Sequence, residues 1–66
     1  MNLIINSETI SFEKDLTIDE VLNRLQIKDK VMAVAVNMEI VKKEFWDSFV
    51  PKENDKIELL QFVGGG

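Results

Sequence analysis

Apolar and polar residues alternate at the start of the chain in a pattern that predicts two paired strands. A short apolar run is followed by the turn-prone stretch Asn6-Ser7-Glu8, and the next two apolar residues are separated by a polar one. Since neighbouring side chains of a strand point to opposite faces, this pattern predicts a β-hairpin with one buried face. The turn lacks an Asn-Gly pair, so its type stays open. The apolar positions are Leu3, Ile4, Ile5, Ile10 and Phe12.

A helix is predicted to begin at Ile18. Thr17 can cap it, and Glu20, three residues later, can bond back to the Thr17 amide, which is the pattern of a capping box. Leu16 and Val21 occupy the positions of a hydrophobic staple. One helical stripe is apolar and the other face is polar. The stripe consists of Ile18, Val21, Leu22 and Leu25, and the polar face of Asp19, Glu20, Asn23 and Arg24.

A second hairpin is predicted from residue 31 to residue 41. Residues 31–36 form a continuous apolar run of strand length, Asn37-Met38-Glu39 is turn-prone, and Ile40-Val41 can return as a short strand. The small side chains of Ala33 and Ala35 would let a neighbour approach closely, although ordinary packing explains them as well.

Residues 42–50 mix charge with three large aromatic side chains and end before Pro51, which biases Val50 away from helix. We expect one helical turn or an irregular loop here. Phe45 and Phe49 are spaced to share a face, and Trp46 is expected to cover the edge of the core. The pattern favours a core or satellite cluster over an aromatic binding surface.

The last predicted strand covers residues 57–63 and follows a charged turn in which Asn54 is best suited to a left-handed conformation. Both faces of this strand carry apolar residues, as expected of an interior strand. The order strand, strand, helix, strand, short strand, loop, strand predicts an α+β domain with one main helix packed on one face of a mixed sheet. We expect a single domain at residues 1–63 and a flexible glycine tail at residues 64–66.

Composition narrows the class of protein. The 66 residues are 45% hydrophobic and include no cysteine, so apolar packing must hold the fold without disulfides. Twelve acidic and eight basic residues give a net charge of -4, which argues against nucleic acid as a partner. The first residues are interrupted by polar ones too soon for a signal peptide or a membrane span. We therefore expect a soluble, cytoplasmic protein with no membrane partner.

All three glycines of the chain are its last three residues, Gly64-Gly65-Gly66. A glycine run at a terminus can be a disordered end or a remnant of cloning. Two features favour a functional tail instead. The apolar strand runs into Gly64 without a polar linker, and the chain lacks both Cys and His, the usual nucleophile, base and metal ligands. Any covalent chemistry is therefore expected at the Gly66 carboxylate, with no metal site in this chain.

This order of elements, with a single helix and a terminal diglycine, resembles the ubiquitin-like β-grasp proteins, and among them the ThiS family of thiamine-biosynthesis sulfur carriers. The likeness covers the whole chain, and its most specific part is Val34-Ala35-Val36-Asn37 followed by Trp46. Family members often have Pro-Arg in place of Lys42-Lys43 and Gly-Asp in place of Asn54-Asp55, and Gly64 is an additional glycine. The other residues that carry the likeness are Asn6, Thr17, Val21, Leu22, Ile40, Val41, Glu44, Asp55, Gly65 and Gly66.

The resemblance implies that the chain is a carrier and not an enzyme. A ThiF-like adenylating enzyme would use ATP and magnesium to activate Gly66, while Gly64 and Gly65 thread into its active site. A persulfide donor such as a cysteine desulfurase would then supply the sulfur of a thiocarboxylate, which a ThiG-like thiazole synthase would receive. No cofactor would be bound by this chain itself.

Partner docking is expected around the last strand, with Leu60, Phe62, Phe45 and Phe49 as candidates, although the pattern alone favours the core for each of them. The nearest rival is a carrier of the kind found as the small subunit of molybdopterin synthase, MoaD. A noncovalent β-grasp interaction module with an inert tail and a covalent protein modifier also remain open.

Overall fold

In a computed structural model of the protein, the structure is described for residues 1–62, where five strands and one α-helix form the regular structure. Two short 3-10 turns, Lys28–Lys30 and Lys43–Phe45, connect these elements. In chain order the elements are β1 (Asn2–Ile5), β2 (Glu8–Ser11), α1 (Ile18–Arg24), β3 (Val31–Val36), β4 (Glu39–Val41) and β5 (Lys56–Gln61).

The strands form one mixed sheet in the order β2-β1-β5-β3-β4. β5 lies in the middle, parallel to β1 and antiparallel to β3, while the two hairpins place β2 and β4 at the edges. The prediction of an α+β fold with a mixed sheet is confirmed, as is the interior position of the last strand. That strand ends at Gln61, and the predicted extension to Val63 lies outside the described residues.

Both hairpins turn without glycine. Asn6 and Ser7 have φ angles of 48° and 70°, and Asn37 and Met38 have φ angles of 50° and 72°. Two consecutive positive φ values define a type I′ turn, whose twist matches that of the flanking strands. The sequence left the turn type open because serine and methionine seldom occupy the second position. The predicted left-handed conformation of Asn54 is confirmed by its φ of 66°.

The helix begins where its capping residues predict. The Glu20 amide donates to the Thr17 hydroxyl at 3.1 Å, and the Thr17 amide donates to the Glu20 carboxylate at 2.9 Å. The amides of the first two helical residues bond to a segment distant in sequence. Ile18 donates to the Phe49 carbonyl and Asp19 to the Trp46 carbonyl, both at 2.9 Å. Segment 42–50 thus closes the helix N-terminus.

The helix ends in a hydrogen-bonded motif built without glycine. Gln26 adopts a φ of 59°, its amide donates to the Asn23 carbonyl, and the Ile27 amide donates to the Leu22 carbonyl. This is the pattern of a Schellman motif, which satisfies carbonyls that the last helical turn leaves free. Ile27 then packs against the core next to the helix.

The core lies between the helix and one face of the sheet. Ile18, Val21 and Leu22 of the predicted stripe are buried in it. Trp46, which we expected at the edge of the core, is only 2% exposed, and its indole N–H donates to the Val41 carbonyl at 2.9 Å. The core is therefore larger than the periodic pattern suggested. It consists of Leu3, Ile5, Phe12, Leu16, Ile18, Val21, Leu22, Val31, Val34, Val36, Val41, Trp46 and Ile57.

Within residues 1–62 no helix has the length and apolar character needed to cross a membrane. The predicted division into a domain at residues 1–63 and a glycine tail at 64–66 falls partly outside the described residues and stays a prediction.

Replacing Thr17 by Ala is expected to lower the free energy of unfolding by about 1 kcal/mol, because the helix loses its side-chain cap. For a domain of this size such a loss corresponds to a melting temperature lower by about 4 to 8 °C, measurable by circular dichroism. Thr17→Ser keeps the hydroxyl and should melt close to the parent. Equal melting of Thr17→Ala and the parent would show that the cap does not stabilise the helix.

Candidate functional site

The chain is hydrogen-bonded to the body as far as Phe62, the last residue that the structure describes. Beyond the end of β5, the Phe62 amide donates to the Lys30 carbonyl at 2.8 Å, which continues the pairing with the chain that enters β3. The tail residues predicted to be threaded and modified, Gly64, Gly65 and Gly66, lie outside the described residues. The structure shows how the chain before them is held, through the bond between Phe62 and Lys30.

Two asparagine side chains hold β5, one on each side. The Asn6 side-chain oxygen accepts from the Leu59 amide at 2.8 Å, and the Asn37 side-chain oxygen accepts from the Lys56 amide at 2.9 Å. The same two residues use their backbone amides on β5, because Asn6 donates to the Ile57 carbonyl and Asn37 to the Lys56 carbonyl. Each asparagine therefore holds the strand through both a backbone and a side-chain bond.

Asp55 joins this arrangement at the start of β5. One carboxylate oxygen accepts from the Asn37 side-chain amide at 3.0 Å, and the other accepts from the Lys52 amide at 2.8 Å. Its carbonyl accepts from the Ile4 amide at 3.0 Å. Asp55 thus fixes the turn before β5 to both neighbouring strands, so three residues that carry the family likeness, Asn6, Asn37 and Asp55, position the strand that leads to the tail.

The face of the sheet opposite the helix is open and has an apolar centre. Val34 and Val36 point into the core, so the intervening side chain of Ala35 and that of Ala33 point outward. Leu60 pairs with Ala33, and Ile40 pairs with Ala35. Together these side chains line a shallow depression on the open face, which we call the open-face patch: Ala33, Ala35, Ile40 and Leu60.

The four candidate docking residues are exposed, so the preference for a core position was wrong. Leu60 and Phe62 are 59% and 60% exposed, and Phe45 and Phe49 are 50% and 36% exposed. Leu60 lies in the open-face patch, and Phe62 follows on the same face by alternation. Phe45 and Phe49 lie on the other side of the sheet, in the segment that closes the helix N-terminus. Their role in docking stays a prediction.

Titratable groups with shifted pKa values lie on the helix side and not near the end of β5. The Arg24 guanidinium, which donates to the Glu13 carboxylate at 3.0 Å, lowers the pKa of Glu13 to about 2. The bond from the Thr17 amide lowers the pKa of Glu20. Both shifts come from exposed pairs around the helix, so they do not point to a catalytic group. Among residues 1–62, no three His, Cys, Asp or Glu residues are placed to hold a metal ion.

Sequence reasoning did not identify Ile40 as a surface residue. It also did not predict that the Asn6 and Asn37 side chains bond to β5. Alternation within Ile40-Val41 was the available signal for Ile40, since one of two adjacent strand residues must face away from the core. No local signal identifies the bond from Leu59 to Asn6, because the two residues are 53 positions apart in the chain.

Known proteins resemble this chain over its whole length. The model of the ThiS family matches residues 2–66. The sulfur carrier protein ThiS of Bacillus subtilis (strain 168) is 35% identical over 65 residues, which cover 97% of this chain and 98% of that protein. The crystal structure of the thiamine biosynthesis protein (ThiS) from Geobacter metallireducens superposes with a TM-score of 0.81 at 31% identity, covering 100% of both chains.

A larger relative contains a segment similar to this chain. The thiazole synthase of Paramagnetospirillum magneticum (strain ATCC 700264 / AMB-1) is 35% identical over 66 residues, which cover 100% of this chain and 20% of that protein. The chain therefore spans about a fifth of that relative and nearly the full length of the carrier.

The mixed sheet, the single helix and the central last strand define a ubiquitin-like β-grasp protein. Within that class, the match over residues 2–66 and the full-length relatives show that this chain belongs to the ThiS family.

Asn6→Gly is expected to lower the free energy of unfolding by about 1 kcal/mol, because the Leu59 amide loses its side-chain acceptor while the positive φ remains accessible. Hydrogen exchange at the Leu59 amide should become faster, as measured by NMR. Asn6→Asp retains an acceptor oxygen and serves as the matched variant, with exchange close to that of the parent. Unchanged exchange at Leu59 in Asn6→Gly would contradict this role of Asn6.

Proposed function

We propose that this chain is the sulfur carrier of thiazole formation in thiamine biosynthesis, with Gly66 as the residue that bears the sulfur. Support comes from the match to the ThiS family, which extends to Gly66, and from a full-length relative named as a sulfur carrier. The names of the matched relatives favour the thiamine pathway over molybdopterin synthesis.

The observation that carries the proposal is the anchoring of the chain up to Phe62, which only Val63 separates from the three glycines. The Phe62 amide is bonded to Lys30, and residues 63–66 contain only Val63 and glycine. Four extended residues span at most about 13 to 14 Å, enough to reach from the surface of the body into a partner's active site. Because glycine has no Cβ, the last three residues of this segment fit a channel that excludes other residues.

The Gly66 carboxylate needs activation before it can accept sulfur. An α-carboxyl group has a pKa of about 3.3 to 3.7, so at neutral pH it is an anion and a poor electrophile. In the proposed reaction a carboxylate oxygen attacks the α-phosphorus of ATP, releasing pyrophosphate and forming an acyl-adenylate. A persulfide sulfur then attacks the carbonyl carbon and AMP leaves. A thiol of the partner cleaves the resulting acyl disulfide, which yields the thiocarboxylate and a disulfide on the partner.

The residues of this chain suit the part of substrate rather than catalyst. It contains no Cys or His to supply a thiol or a near-neutral base. Magnesium and the charges that stabilise nucleotidyl transfer would therefore come from a ThiF-like adenylating enzyme, and the sulfur from a persulfide donor such as a cysteine desulfurase. The chain acts as a group carrier, comparable to carrier cofactors that hold a reactive group for several enzymes.

A thiazole synthase of the ThiG type is the proposed receiver of the sulfur. The support is the thiazole synthase of P. magneticum, of which a segment resembles this entire chain. In that relative a carrier-like segment and a thiazole synthase belong to one polypeptide, so we expect this chain to contact a separate thiazole synthase. The donated sulfur leaves as part of the product when its bond to the Gly66 acyl carbon breaks, and the oxygen of a water molecule takes its place on that carbon, which restores the carboxylate.

The proposal is tested by the intact mass of the protein after incubation with ATP, a ThiF-like enzyme and a persulfide donor. The expected result is a gain equal to one oxygen replaced by sulfur, mapped to Gly66. The variant Gly66→Ala should fold normally but be adenylated much more slowly, because its Cβ obstructs a channel suited to glycine. No mass change, with an enzyme shown to be active on a known carrier, would favour a noncovalent module with an inert tail.

We further expect the adenylating enzyme to dock on the open-face patch, because β5 runs from that patch directly into the tail. Leu60→Ser should raise the apparent KM for the carrier by about tenfold, within the range for an apolar residue at the centre of an interface. Phe45→Ser removes a similarly exposed apolar side chain on the helix side and should change KM little. A larger effect of Phe45→Ser would move the docking surface to the helix side of the sheet.

A further inference from the structure

β5 is a central strand in the sheet order, yet its second half is paired on one side only. Its pairing with β1 is confined to Ile4 with Lys56 and Ile5 with Ile57. Its pairing with β3 continues as far as Gln61. From Leu59 onward, the edge of β5 on the side of β1 therefore has no neighbouring strand among the described residues.

The hydrogen bonds show which backbone groups line this edge. Backbone groups of successive residues in a strand point to opposite sides, so those of residues two apart point to the same side. The Phe62 amide donates to Lys30 on the β3 side, whereas the Leu59 amide donates to the Asn6 side chain on the β1 side. The Gln61 amide and the carbonyls of Leu59 and Gln61 therefore also point to the β1 side. Within residues 1–62 none of the bonds outside the strand ladders engages these three groups.

Asn6 marks the start of this edge. At the turn formed by Asn6 and Ser7 the chain passes from β1 to β2, away from β5, and within residues 1–62 the Asn6 side chain is the last acceptor that β5 meets on this side. Beyond it, the edge from Leu59 to Gln61 carries none of the usual features that prevent strand pairing, such as proline or an inward-pointing charge. Exposed edges of this kind accept a strand from another chain.

We propose that an extended segment of the adenylating enzyme adds to β5 as a strand along this edge, from Leu59 to Gln61. The inference rests on the proposed function, because it assigns a contact to the enzyme that takes up the tail. The bonds would be made by the Gln61 amide and by the Leu59 and Gln61 carbonyls. They use main-chain groups, so they are distinct from the side-chain contacts of the open-face patch.

Continuity with the tail is the reason for choosing this occupant. Only Phe62 separates Gln61 from residues 63–66. Any enzyme that binds Gly66 in its active site must therefore lie close to this edge. Strand pairing there would also hold the last residues of the body extended and aligned with the entry of the tail. A second copy of this chain is a poorer occupant. Three residues are too short an edge for a stable dimer, and each copy carries a net charge of -4.

The first test measures the hydrogen exchange of single amides by NMR in isotope-labelled protein. It compares the free protein with protein saturated with the enzyme that adenylates it in the intact-mass assay. The Gln61 amide should exchange rapidly in the free protein and at least about tenfold more slowly in the complex, as expected when a strand bond forms. The Phe62 amide, already bonded to Lys30, is the internal reference. Unchanged exchange at Gln61 in the saturated complex would overturn the proposal.

The second test removes the donor. Gln61→Pro eliminates the amide on the open edge without removing a bond to β3, and proline is tolerated at such positions. Affinity for the enzyme should fall by about tenfold, the loss expected for one or two main-chain bonds. Gln61→Ala keeps the amide and should bind like the parent. Melting temperature and exchange at Leu60 verify that both variants fold.

The outcomes separate this proposal from the function on which it rests. If the parent chain is adenylated and Gln61→Pro binds as tightly as Gln61→Ala, strand addition is wrong while the carrier function stands. If no active adenylating enzyme modifies or binds the parent chain, the proposed function fails and the edge proposal fails with it. Weakened dimerisation of Gln61→Pro, with unchanged enzyme binding, would assign the edge to a second copy.

Discussion

The rest of the structure depends on holding the last strand in the centre of the sheet while leaving its end accessible. A strand paired on both sides along its whole length would be firmly held, but neighbouring strands would cover both edges of its C-terminal end. Here β1 pairs only with the beginning of β5, and β3 pairs with all of it. Asn6 closes the gap with a side-chain bond where β1 turns away. The strand is thus anchored where it enters the sheet and open on one side where it leaves.

Local chemistry made the helix and both hairpins predictable. The capping residues Thr17 and Glu20 lie within four positions, so their bonds form in almost any fold that contains this helix. Alternation predicted the strands of the first hairpin, and a continuous apolar run before a turn-prone stretch predicted those of the second. The type I′ turns were not predictable, because Ser7 and Met38 take positive φ values only when the paired strands on both sides require it. In these turns tertiary pairing overrides the preference of the residue.

Long-range geometry decided what the sequence left open. Periodicity shows that Leu60 lies on the opposite face from Ile57, but not which face the helix covers. For that reason the pattern favoured the core for the docking candidates Leu60 and Phe62, which are exposed, and placed Trp46 at the edge of the core, although it is buried. Gly66 could be identified as the candidate reactive residue because the argument needed only composition: no Cys, no His and a glycine terminus. The residues that position the strand could not, since they act across 53 and 19 positions.

The distribution of glycine follows from two opposite requirements on one short chain. Six of the described residues, 1–62, adopt positive φ, and none of them is glycine. Glycine at those turns would remove steric cost in the folded state but widen the conformations open to the unfolded chain, which weakens a small domain. Asparagine occupies three of the six positions, and at Asn6 and Asn37 its side chain also binds β5. Glycine in place of Asn6 or Asn37 would retain the turn and the backbone bond to β5 but lose the side-chain bond. At Asn6 and Asn37 the body thus uses residues that bond as well as turn, and all three glycines follow β5, in the segment for which the proposed function requires a chain without side chains.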